Sequence, residues 1–197
     1  HRMGNGFVYS SQFLTDEQAE LQFQKTLNSA PLQTIRRIEF KTGRRDHAWQ
    51  NNCVAIGLSA GFVEPMESTS IHLIVTGITR LMQLFPYRED ATRLRNEYNN
   101  QTRAEIEKIR DFIILHYHVT ERDDSEFWKM CKKMNIPDSL AERIELFKEH
   151  GHAFQKNGEL FRVDSWTQVM LGQGILPGSW HPAAKMMSSG QVSAAME

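Results

Sequence analysis

Residues 61–74 read GFVEPMESTSIHLI. Two carboxylates, Glu64 and Glu67, flank Pro65; three hydroxyls follow, and an apolar run then begins abruptly. Just upstream, CVAIGLSAG over 53–61 joins a short apolar run to a tight small-residue turn, predicting a short buried strand. Downstream, Ile71, Ile74, Val75, Ile78, Leu81, Met82 and Phe85 fall at helical spacing, and Pro86 stops the pattern. The segment therefore reads as strand, turn and a well-buried amphipathic helix starting near Glu67 or Ser68. The first turn of a helix carries unpaired backbone N–H groups and the positive end of the dipole. The N–H groups of Thr69 and Ser70 are thus placed to hold a small anion. A plainer reading stands beside it: Ser68 caps the helix and Glu67 complements its dipole.

Outward from this segment, the pattern is strands first and helices later, an α+β fold that is mainly helical. FVYSSQF over 7–13 alternates loosely and predicts a strand. Thr15 and Gln18 form a capping box opening a helix over 16–28. TIRRIEFKTGRR reads as a strand running into a turn at Gly43. Residues 90–117 hold the longest helical pattern, with Ile106, Ile109, Phe112, Ile113 and Tyr117 inward. Ser125 starts a helix to Met134. Ser139 and Glu142 make a second capping box, and Gly151 ends that helix. FQKNGELF reads as a hairpin about Asn157-Gly158, and Ser165 caps a short helix through Leu171.

The 197 residues allow one ordinary domain. A 40% apolar and 24% charged composition with net charge -1 is that of a soluble globular protein and argues against a nucleic-acid binder. Cys53 and Cys131 form no CxxC, which fits free thiols in a reducing cytoplasm. No apolar run is long enough for a membrane span. His116 and His118 lack an obvious carboxylate partner, so no metal site is expected. His72 is expected to be a satisfied core histidine, Phe127 and Trp128 to be core, and Arg44-Arg45 an exposed pair. The chain starts at His1 without an initiator methionine, and is expected to be a piece of a longer protein.

WQNNCVAIGLSAGFVEPMESTSIHLI resembles the core of the flavin-dependent tryptophan halogenase family, which carries GF-x-EP-x-EST between its last flavin-domain strand and the next helix. HRMGNGFVYSS, GRRDHAW, DFIILHYHVTERDDSEFW and LFRVDSWTQVMLGQGILPGSWHP resemble its later segments. The resemblance implies the C-terminal part of a two-part flavin monooxygenase/halogenase-like fold. Residues 1–70 would end the flavin-binding domain, and 71–197 would form a helical substrate-side region. It implies FAD, supplied as FADH2 by a separate flavin reductase. Its hydroperoxide is attacked by chloride or bromide, and the resulting hypohalous acid reaches an aromatic, indole-like substrate. Glu67 matches the glutamate at the substrate end, where a carboxylate stabilises the cationic arene and removes its proton. Ser68 matches a serine between the flavin and substrate sites, and Thr69 and Ser70 the halide-holding positions. Gly57, Ser59, Ala60 and Gly61 match the close approach of the flavin ring.

Ser70 stands where many members have glycine, though others carry serine; the departure that bears on substrate lies later in the chain. Trp166 and Thr167 align with a tyrosine pair, and Gln173 with a glutamate, that grip the amino acid's backbone in free-tryptophan enzymes. The ammonium partner is thereby missing, and free tryptophan is not the expected natural substrate. The family's GxGxxG, its lysine and its Trp-x-Trp-x-Ile-Pro segment do not occur in these residues, so this piece alone is expected to be inactive. A cytoplasmic protein is expected, with a homodimer as candidate assembly, no nucleic acid and no membrane. The rival readings are a related flavin-dependent aromatic hydroxylase and a non-catalytic helical interaction module.

Overall fold

A 27-residue helix, α3 (Thr92–His118), is the spine of the computed structural model, which describes residues 4–65, 68–88, 90–188 and 190–191. Neither glycine nor proline interrupts it. Its buried side chains enter three packed clusters in turn. Tyr98 joins Ala48, Trp49 and Ala60. Ile106, Ile109 and Ile113 pack with Leu73. Phe112 and Leu115 pack with Leu140, Ile144, Phe147, Trp166 and Met170. The expected inward set is therefore correct, with Tyr117 partly buried.

Before α3 come α1 (Asp16–Thr26), four two-residue strands and α2 (Ser70–Gln83). The strands are β1 (Gly43–Arg44), β2 (Trp49–Gln50), β3 (Cys53–Val54) and β4 (Gly61–Phe62), and a 3-10 turn at Gly57–Ser59 separates the last two. They pair antiparallel as β1 with β4 and β2 with β3. Asn99 of α3 extends this scheme: its side-chain oxygen accepts from Trp49 N at 2.7 Å and its amide donates to Trp49 O at 3.0 Å. After α3 follow α4 (Glu126–Lys133), α5 (Asp138–His150) and α6 (Val163–Gly172). The result is mainly helical with few strands, as expected.

Several local expectations fail for identifiable reasons. Residues 7–13 form no strand; Phe7 stacks on Tyr9 and on Phe23 of α1, and Tyr9 donates to Asp16 at 2.6 Å, so α1 takes up the aromatic side chains. The 34–42 strand is absent as well: Ile38 is exposed, and Arg37 bonds Asp16 instead. Of the short buried strand expected at the start of 53–61, only the two residues Cys53–Val54 form, with Cys53 exposed, while the turn after it is present at Gly57–Ser59. The Asn-Gly hairpin does not form. A turn remains at Gly158, while Arg143 takes the Phe154 carbonyl and Lys108 that of Asn157, so helix side chains replace a cross-strand ladder.

Caps behave unevenly. The Thr15–Gln18 box is present, Ser125 accepts from Trp128 N, and Gly151 closes α5 at φ 62°. Ser139 does not cap α5, because the helix already starts at Asp138 and the Ser139 hydroxyl donates to Asp111 at 2.5 Å. Ser165 likewise lies inside α6, which starts at Val163.

The largest correction concerns α2. The helix is where its periodicity puts it, yet only Leu73 and Gly77 of its residues are buried. Ile71 is 75% exposed, Val75 56% and Met82 72%, and Ile74, Ile78 and Phe85 are exposed too. The helix touches the Gly57–Ser59 turn and α3 along one narrow edge, so most of its apolar stripe faces away from every described element.

Candidate functional site

β4 delivers the chain to Glu64 and Pro65, and α2 starts five residues later at Ser70. Met66 and Glu67 lie outside the described residues. Ser68 N donates to Pro65 O at 3.2 Å, closing a turn, and Ser68 holds a left-handed φ of 51°. A left-handed conformation at a side-chain-bearing residue costs about 1–3 kcal/mol and concentrates at functional sites. Thr69, buried, is the N-cap residue but makes no side-chain cap bond, and no acidic residue stands in the first turn of α2. Ser68 is thus not the cap of this helix. The N–H groups at the start of α2 carry the positive dipole end without an intrahelical partner.

The small-residue turn packs directly on this helix. Gly57 has φ 61°, and a Cβ there would stand 2.3 Å from Ile74 Cγ1. A Cβ at Gly61 would meet Ile106 Cδ1 at 3.0 Å and Arg44 Cβ at 3.1 Å. Ser59 bonds back to Ile56 through both its hydroxyl roles, at 2.9 Å each, and Ala60 is buried. Gly57, Ala60 and Gly61 are therefore packed into the fold beside α2, which carries Ser70 on its first turn, and Ser59 is the exposed member of the four. Arg45 reaches this turn, donating to Ser59 O at 2.6 Å, and Arg44 pairs with Glu107 at 2.9 Å.

Sequence reasoning gave Glu64 no role of its own. Its carboxylate is almost wholly buried, and Oε2 accepts from Tyr117 Oη, in the last turn of α3, at 2.5 Å. Oε1 is buried with no partner among the described residues. Such a group costs about 1–3 kcal/mol. Burial, and then the Glu64 hydrogen bond, push the Tyr117 hydroxyl well above the ordinary tyrosine range, so it remains a donor. The Tyr117 ring stacks on Trp128, centroids 5.8 Å apart, and meets Phe127 edge-on. A carboxylate directly before a proline was the available signal; its burial and its partner, fifty-three residues away, were not visible.

The C-terminal candidates lie elsewhere. Trp166 is buried in the α3–α5–α6 cluster, edge-on to Phe112, with the Arg143 guanidinium 3.9 Å from its ring centre. Arg143 itself pairs with buried Glu159 at 2.5 Å. Thr167 and Gln173 are half-buried, and Gln173 ends α6. His116 contacts the Phe112 carbonyl at 2.8 Å through Nδ1, and no metal-competent cluster of His, Cys, Asp or Glu occurs among the described residues. His72 is part-exposed and lies 3.2 Å from Glu105, so it is a surface-edge partner rather than a core histidine.

A family model described as tryptophan halogenase matches residues 1–189. The fold matches that of a flavin-dependent halogenase from Xanthomonas campestris with a TM-score of 0.90 and 47% identity, over 94% of this chain and 38% of that one. A flavin-dependent halogenase from Brevundimonas sp. matches with a TM-score of 0.89 and 44% identity, over 95% of this chain and 38% of that one. Tryptophan 7-halogenase RebH of Lentzea aerocolonigenes is 35% identical over 92% of this chain and 37% of its own length. The chain thus spans a little over a third of the length of the relatives it matches.

Proposed function

Since the chain belongs to the tryptophan halogenase family, we propose that it is the C-terminal, substrate-side part of a longer FADH2-dependent halogenase acting on an aromatic, indole-like substrate. Residues 1–70 would complete the flavin-binding domain and 71–197 the helical substrate side. Gly57, Ser59, Ala60 and Gly61 would hold the flavin, with Ser59 the exposed point of the turn at which a flat ring could meet backbone. When bound, the reduced flavin supplies, with oxygen, the oxidising equivalents that turn chloride or bromide into an electrophile. A separate reductase would supply FADH2 in the cytoplasm, and the working assembly is a candidate homodimer.

The residues of this chain do the rest. The N–H groups of Thr69 and Ser70 hold the halide at the start of α2. Ser68 stands between flavin and substrate sides. The Glu67 carboxylate stabilises the cationic arene and takes its proton. Trp166, Thr167 and Gln173 contribute to the substrate side; Trp166, being buried, would act by shaping the wall. With Gln173 in place of a carboxylate, the substrate is an indole or phenol without a free ammonium group.

The observation that carries this reading is the start of α2: an uncapped helix end, free of first-turn acids, directly after a strained turn in the GFVEPMEST motif. The exposed face of α2 supports the larger protein. Soluble monomers seldom leave contiguous large apolar patches uncovered, and a preceding flavin-binding domain would cover this one. The test is bromination of an indole panel by the full-length protein, wild type against Glu67→Gln. Bromide-dependent product, lost by roughly 10²–10⁴-fold in the variant, is expected. A hydroxylated product that ignores bromide would overturn it.

A further inference from the structure

Four features of the motif segment remain without a use in the scheme above. Glu64 is buried, it accepts a 2.5 Å hydrogen bond from Tyr117, its second oxygen has no partner among the described residues, and Pro65 follows it directly. Buried polar groups that are partly satisfied are costly, and a fold retains them where they fix something. Here the geometry shows what can be fixed. Tyr117 sits at the C-terminal end of the long spine, held by Trp128 stacked on its ring and Phe127 against its edge. Glu64 is the last side chain before the Pro65–Ser68 turn. Proline removes one backbone freedom immediately after the anchored residue. The tether therefore defines where the turn begins, three residues before Glu67 and four before Ser68.

We infer that Glu64 is a positioning residue: clasped by Tyr117, it fixes the turn that sets Ser68 at the start of α2. The inference rests on the function proposed above for Ser68. What matters is the hydrogen bond, in which the Tyr117 hydroxyl donates and Glu64 accepts, rather than the negative charge. A misplacement of about 1 Å at reacting groups can cost about 10²-fold in rate, so a tether of this kind has leverage out of proportion to its size.

The test has two parts. In this chain, amide hydrogen exchange is compared for wild type, Tyr117→Phe, Glu64→Leu and Glu64→Gln. The Ser68–Ser70 amides are expected to exchange at least tenfold faster in the first two variants and at the wild-type rate in Glu64→Gln, which still accepts the bond. The Leu140–Phe147 amides of α5 should not move. In the full-length enzyme, halogenated product per flavin reoxidised is expected to fall tenfold or more in Glu64→Leu, with the flavin reoxidation rate unchanged, and to be restored in Glu64→Gln. Uniform faster exchange across the chain, an unmoved turn, or a Glu64→Gln variant as impaired as Glu64→Leu would each overturn the inference. If the wild type itself halogenates no arene, the proposed function fails; the exchange result then decides the tether by itself.

Discussion

Arg80 of α2 and Glu105 of α3 are joined at 2.9 Å in a seam that is about nine-tenths buried on both sides. The same guanidinium donates to Thr102 at 2.9 Å, and the other Glu105 oxygen lies 3.2 Å from His72 Nε2. Because α2 buries only Leu73 and Gly77, this polar seam does much of the docking that its apolar stripe does not.

Removing one member of a buried pair strands the other in low dielectric, which costs about 3–5 kcal/mol. Glu105→Leu is expected to destabilise by that amount, and Arg80→Met combined with Glu105→Leu by clearly less. Urea unfolding of the three proteins checks this. A double variant as unstable as Glu105→Leu alone would show that the pair is not the seam's working element.

Gly57 meets two constraints at once: φ 61° and an Ile74 side chain where a Cβ would stand. Gly57→Ala should therefore destabilise by roughly 2–4 kcal/mol, combining left-handed strain with overpacking. Ile74→Ala in the same chain should recover only the overpacking part, because the backbone strain remains. Thermal melts of the two single variants and the double variant separate the two contributions.

Which of these relations was legible in the sequence depends on their range. The Thr15 and Ser125 caps, the Pro86 stop and the inward face of α3 are set within a few residues, and they read correctly. The 7–13 and 34–42 segments have strand-like composition, yet a strand needs a partner, and partners are tertiary facts. The Ser139 cap failed because Asp111, on another helix, took its hydroxyl. Periodicity found α2 but could not say whether anything covers its stripe. At the site, the motif pointed to Thr69 and Ser70 at the helix start, whereas the Glu64–Tyr117 contact was beyond any local pattern.

Tyr117 also makes an alkaline prediction. Its hydroxyl is raised in the folded state, by burial first and Glu64 second. Below the unfolded value of about 10, both states keep the proton and pH has no effect through this group. As pH rises past that value the unfolded chain ionises first, so stability falls toward the higher folded value. Urea melts between pH 8 and pH 11 should show this loss, and Tyr117→Phe should flatten it. An unchanged slope in the variant would mean that Tyr117 ionises as freely folded as unfolded.

The last prediction concerns substrate choice. Gln173 caps the end of α6 and is half-buried, so it retains accessible surface, whereas Trp166, seven residues earlier, has almost none. If Gln173 stands where free-tryptophan enzymes use a glutamate, a carboxylate there supplies the missing partner for an ammonium group. A charge-assisted hydrogen bond contributes about 1.5–3 kcal/mol, and 1.36 kcal/mol is a tenfold change in rate. Gln173→Glu in the full-length enzyme is therefore expected to raise kcat/KM for tryptophan relative to indole by roughly 10- to 100-fold. Competition between the two substrates in one vessel reads that ratio directly. Indole has no ammonium, so its own turnover should change little; a variant that slows both alike, leaving the ratio where it was, would remove Gln173 from the substrate's amino end.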